Sequence, residues 1–119
     1  MGLLDWFTRN WADTDEGRDP SLAPLDLPLS PPDALARIET VVRTLPGWRV
    51  EAVDASSGTI QATRRTRLWR FVDDVTLRLE AVAAGSRVHA RSRARVGVGD
   101  LGQNRRNLLA FLRALRRPC

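Results

Sequence analysis

The chain has one cysteine, one histidine, no lysine and no apolar run long enough to cross a membrane. With Cys119 alone, an internal disulfide is excluded, which fits a reducing compartment. One His and one terminal Cys give neither a zinc-ligand spacing nor a nucleophilic triad. No catalytic residue and no metal ligand is therefore assigned, and no cofactor is expected. The first residues do not follow the secretory order of basic start, apolar run and small-residue cleavage site. A cytoplasmic protein is the expectation. Because every basic residue is Arg, in the manner of a GC-rich coding bias, the Arg count says less than its distribution.

That distribution is uneven. Residues 1–60 hold five Arg and ten Asp or Glu, a charge of −5, whereas residues 61–119 hold fourteen Arg and four acids, +10. Such asymmetry points to an anionic partner or to an internal electrostatic contact. Residues 1–33 alone carry seven acids and two Arg. We therefore expect this acidic segment to lie over part of the Arg-rich surface and to compete with external anions.

At 119 residues the chain has room for one domain. Leu3, Leu4, Phe7 and Trp11 fall on one side of a helix over residues 1–11, a segment that also offers a peripheral membrane contact. Residues 12–29 are rich in Asp and Pro and read as an extended linker, so that residues 1–29 stand apart from a domain at 30–117. Ser30 suits a helix N-cap, followed by Pro31 and Asp33, and Leu35, Ile38, Val41, Val42 and Leu45 form an apolar stripe that ends at Pro46-Gly47.

Trp48, Val50 and Ala52 alternate in a first strand, and Ile60 and Ala62 in a second. After an irregular stretch at 64–72, Val75, Leu77 and Leu79 alternate with Asp74, Thr76, Arg78 and Glu80 in a third. A turn around Ala84 and Gly85 leads to a fourth. A last helix, capped by Asp100 with Gln103 closing the box, buries Leu101, Leu108, Phe111, Leu112 and Leu115. The order is helix, two hairpins, helix. It predicts an α+β domain in which a four-stranded antiparallel sheet carries the N- and C-terminal helices on one face.

The fourth strand carries the clearest pattern. Arg87, His89, Arg91, Arg93 and Arg95 alternate with Val88, Ala90, Ser92, Ala94 and Val96. Alternate residues of a strand point to opposite faces, so the basic ones share the face away from the helices. A turn centred on Ala84-Gly85 places Glu80 opposite His89, Arg78 opposite Arg91, Thr76 opposite Arg93 and Asp74 opposite Arg95. Flanking Arg residues disfavour protonation of His89 and argue against a general acid.

Arg87, Arg91, Arg93 and Arg95 are the anion-binding candidates. An acidic protein, a polyanion or a phosphorylated ligand would suit them. Without an aromatic among the outward positions of the last two strands, sequence-specific nucleic-acid recognition is not expected. Trp69 and Phe71 lie among Arg67 and Arg70, but aromatics beside a hairpin more often pack than stack on bases.

Gly97-Val98-Gly99-Asp100-Leu101-Gly102 matches G-x-G-x-x-G, yet the chain has no second parallel strand after the helix and Asp100 would repel a phosphate. Asp73 and Asp74 are adjacent in a strand and point oppositely, so they do not chelate one ion. Asp73 has inward parity and needs a polar partner.

The stretches Phe71-Val72-Asp73-Asp74-Val75 and Arg91-Ser92-Arg93-Ala94-Arg95-Val96-Gly97, continued by Asp100-Leu101-Gly102-Gln103-Asn104, resemble a bacterial family catalogued as domain of unknown function 1499. The resemblance implies that Asp73, Asp74, Ser92, Asp100 and Asn104 belong together as family positions, with Phe71, Arg91, Arg95, Gly97 and Gly102. It implies no activity. Ala94 stands where the family often has Ser, and Asn107 where it has Arg. The Cys-containing segment and the membrane or lipoprotein anchors of many members are not seen in these residues. The expectation is a non-enzymatic binding or accessory module that presents an Arg-rich sheet face. The alternative is a small enzyme with a polar Asp/Arg/Asn site at the strand-to-helix turn.

Overall fold

A computed structural model of the chain describes residues 10–17, 19–66, 71–95 and 102–117. Ser30 opens helix α1 (Pro31–Thr44) as predicted: its Oγ accepts from the Asp33 N–H at 3.4 Å, and Pro occupies the first positions, where no intrahelical N–H is needed. Ala34, Ile38, Val41 and Val42 are buried along one stripe. At Gly47, φ is +80°, and a Cβ there would stand 2.8 Å from the Arg65 carbonyl oxygen, so only glycine lets the chain reverse this close to the sheet.

The sheet has six strands rather than four. Strands β3 (Trp48–Asp54), β4 (Thr59–Arg65), β5 (Val72–Val82) and β6 (Gly85–Ala94) form the expected pair of hairpins. The stretch read as linker adds β1 (Trp11–Asp13) and β2 (Leu25–Leu27). Both pair antiparallel with the free edge of β6, β1 along residues 91–93 and β2 along residues 86–88. Between them the Thr14 N–H donates to the Ala90 carbonyl at 2.9 Å, and the Ala90 N–H donates to Thr14 Oγ1 at 2.9 Å. An edge strand exposes unpaired backbone groups; here the chain's own beginning covers them. Ala12 and Leu22 are buried in the core with the helices.

Further expectations change. The β5–β6 register is shifted by two residues, with Glu80 opposite Arg87, Arg78 opposite His89, Thr76 opposite Arg91 and Asp74 opposite Arg93. The turn residues are Ala83 and Ala84, while Gly85 already lies in β6. A bulge between Val50 and Ala52 puts Ala52 opposite Gln61 on the outer face, and Val53 takes the inward parity. The last helix, α2 (Gln103–Arg116), starts at Gln103 behind Gly102, whose φ of +81° marks a left-handed cap without a side-chain hydrogen bond. The predicted cap Asp100, with Val96, Gly97, Gly99 and Leu101, lies outside the described residues, as do residues 1–9 and Trp69. Trp11, assigned by its spacing to a helix, opens β1 instead.

Both helices pack on one face of the sheet. Phe111 of α2 is fully buried and stacks on Trp48 of β3 with ring centroids 6.1 Å apart. Arg37 of α1 donates to the Leu115 carbonyl at 3.1 Å and to that of Arg117, which satisfies the free C-terminal end of α2. Among the described residues no helix is long and apolar enough to cross a membrane.

Candidate functional site

The sequence singled out two groups of residues, and the sheet separates them. One lies on the outer face, the other beneath α2.

On the outer face the Arg ladder of β6 is largely engaged by carboxylates. Arg87 donates through Nε to Asp26 Oδ1 at 2.7 Å and through Nη2 to Asp26 Oδ2 at 3.2 Å, a fork on one carboxylate supplied by β2. Arg91 comes within 3.9 Å of Asp13, and its guanidinium carbon sits 5.5 Å from the centre of the Trp11 ring. Arg95 makes the same forked contact with Asp74, at 2.6 and 3.2 Å. Both ring nitrogens of His89 face carboxylates: Nδ1 is 2.6 Å from Asp15 and Nε2 is 2.8 Å from Glu80. Sequence reasoning placed Glu80 opposite this imidazole between flanking Arg residues but missed Asp15, which lay in the presumed linker.

Three cations of this face have no carboxylate partner among the described residues: Arg49, Arg65 and Arg93, all exposed. The register aligns Arg93, Asp74, Thr63 and Arg49 in one row across four strands. With neighbouring strands about 4.8 Å apart, the row spans roughly 14 Å. Arg65 lies one outward position further on, opposite Val72. Arg95 shares this end, since its N–H donates to the Val72 carbonyl at 3.0 Å. Phe71, read as a packing residue, is 54% exposed beside the same end, its N–H held by Thr66 Oγ1 at 2.8 Å.

The ion pairs leave their mark on proton affinity. The hydrogen bond from Arg87 holds the Asp26 carboxyl below the usual carboxylate range, and the same contact raises Arg87. The bond to Asp74 raises Arg95. At Asp19, burial pushes the carboxyl up, but hydrogen bonds from Arg105 and the Ser21 backbone outweigh it and the net direction is down. The Arg105–Asp19 contact, 2.8 Å, ties α2 to the segment before β2.

Beneath α2 the family positions Asp73, Ser92 and Asn104 meet in a buried polar cluster. Asn107 Nδ2 donates to Asp73 Oδ2 at 2.7 Å and to Ser92 Oγ at 3.2 Å. Ser92 Oγ donates to Asn104 Oδ1 at 2.5 Å, and Asn104 Nδ2 donates to the Asn10 carbonyl at 2.9 Å. Gln103 Nε2 donates to Asn107 Oδ1 at 2.8 Å. The cluster thus joins β5, β6, α2 and the backbone just before β1. Asn107 stood out in the sequence only as a departure from the family. Its place one helical turn before Phe111 on the buried stripe was the available signal. Among the described residues no buried side-chain polar atom lacks a partner, as folding energetics demand. Asp74 does not join this cluster; it is on the opposite face with Arg95.

In a comparison with known families, the model described as "Protein of unknown function (DUF1499)" matches residues 7–115. No curated protein matches the chain.

Proposed function

Since the chain belongs to the DUF1499 family of proteins of unknown function, whose description supplies no reaction, we propose from its geometry that it is a non-enzymatic binding or accessory module for an anionic partner. The contact surface is the end of the outer sheet face where Arg49, Arg65 and Arg93 stand without an ion-pair partner among the described residues, and this single observation carries the reading. A cationic side chain left unpaired on a rigid sheet attracts anions without first breaking an internal contact. Arg87, Arg91 and Arg95 belong to the same basic face but are already engaged, so they contribute field more than open binding positions. A polyanion, a phosphorylated ligand or an acidic protein fits this chemistry. A cytoplasmic location in a bacterium, with residues 1–11 as the segment that would touch a membrane surface, is part of the same proposal.

Heparin serves as a test ligand. If three Arg residues each displace one counterion, affinity falls about 40-fold between about 50 and 200 mM salt. The variant R49E/R65E/R93E should lose binding at every salt concentration while keeping its melting temperature. Heparin binding unaffected by salt and by these charge reversals contradicts the proposal.

A further inference from the structure

The outer face also holds a shallow depression of about 190 Å³ lined by Asp13, Asp15, Thr76, Arg78, His89 and Arg91, with the Ala90 backbone at its base. Two of these residues, Asp13 and Asp15, come from the N-terminal stretch and form part of its wall, with their carboxylates turned to the basic residues. The two oxygens of Asp15 are divided between two donors: Oδ1 lies 2.6 Å from His89 Nδ1, and Oδ2 lies 3.5 Å from Arg78 Nη2. Asp13 faces Arg91 at 3.9 Å. Thr14 between them is buried, and its two-way hydrogen bonding with Ala90 fixes the register.

Strand β1 ends at Asp13 and the chain turns through Thr14 and Asp15, the Asp15 N–H donating to Asp13 Oδ1 at 2.7 Å; both carboxylates line the depression, while the Thr14 hydroxyl is buried against Ala90. The surface beneath supplies complementary groups at the same spacing, Arg91 and His89 on β6 with Arg78 from β5.

We propose that Arg78, His89 and Arg91 form a binding site for an acidic peptide with carboxylates two residues apart, and that Asp13 and Asp15 occupy it as an internal competitor. The proposal rests on the reading of the outer face as an anion-binding surface. It adds a second position on that face, masked rather than open. An internal competitor lowers apparent affinity by the fraction of time the site is free. Removing the two charges weakens the hold of these side chains on Arg78, His89 and Arg91 and so raises that fraction.

The test uses the full chain and a fluorescently labelled peptide with the sequence of residues 10–17. If the internal carboxylates hold the site about nine-tenths of the time, the peptide should bind about tenfold more tightly to D13N/D15N than to wild type. The charge-matched control D33N/E39Q, on α1, should bind it as wild type does. Adding R78A to D13N/D15N should abolish the gain. D15N alone makes the same comparison with one charge removed, so the test survives a folding defect in the double variant. Equal peptide affinity in wild type and both unmasked variants overturns the proposal, as does an equal gain in the control. Heparin binding through Arg49, Arg65 and Arg93 is a separate readout. Its loss alongside an unmasked peptide site overturns the open-surface reading only; its persistence without unmasking overturns the internal competitor only.

Discussion

Gly85→Ala should lower folding stability by about 3 kcal/mol, within the combined cost of overpacking and a disallowed backbone conformation. A Cβ at Gly85 would stand 2.2 Å from the Leu27 carbonyl oxygen, 2.9 Å from the Leu29 nitrogen and 3.1 Å from its oxygen. All three are backbone atoms and no rotamer change relieves them. The φ of +147° adds its own penalty for an L side chain. Relief requires β2 to move off β6, which withdraws Asp26 from Arg87. In a chain of this size the melting temperature should drop by about 10 °C. Amide exchange should show early loss of protection across β2. Gly17→Ala is the control: φ there is +77°, but nothing lies within 4 Å of the added methyl, so only the smaller conformational cost applies. An unchanged melting temperature for Gly85→Ala, with β2 still protected, would contradict the close approach of residues 27–29.

The second large effect lies beneath α2. Asn107→Leu keeps the size of the side chain and removes both donor contacts, to Asp73 and to Ser92, along with the acceptor used by Gln103. Asp73 is 3% exposed, so its carboxylate cannot turn to water for the lost bond. The expected cost in urea unfolding is about 3 kcal/mol, the scale for a buried charged group deprived of a donor. Charge is the main reason for that scale. Asp73→Asn in the Asn107→Leu background should therefore give back part of the loss, with a coupling of about 1 kcal/mol between the two substitutions. Strictly additive losses would mean that the two side chains do not depend on each other.

Much of the central fold was legible because long amphipathic elements repeat their signal. The alternation along residues 72–82 and 85–94 assigned inner and outer faces correctly, and the stripes of both helices identified the core. The register was not legible. A slip of two residues leaves every side chain on the same face, so hydrophobic pattern cannot detect it. Gly85 looked like a turn residue, whereas its lack of a side chain serves the approach of residues 27–29 from a distant part of the chain. Strands β1 and β2 have three residues each, too short for alternation to show, and their stability comes from an edge that only the folded sheet provides. The bulge at Val50/Ala52 reversed the parity of Ala52 for want of any local mark. For the site, the sequence identified the ladder, its outward face and two acidic partners, Glu80 for His89 and Asp74 for Arg95, but not the partners before α1. Asp13, Asp15 and Asp26 lay in a segment whose composition resembled a linker. The charge asymmetry did anticipate an internal contact between acidic and basic halves.

The most direct test of the binding surface is an NMR titration of the wild-type chain with a heparin oligosaccharide at low salt. Backbone and guanidinium resonances of Arg49, Thr63, Arg65 and Arg93 should shift together and return as salt is added. Shifts centred on Arg43, Arg113 and Arg116 of the helices, with this row unmoved, would contradict the account.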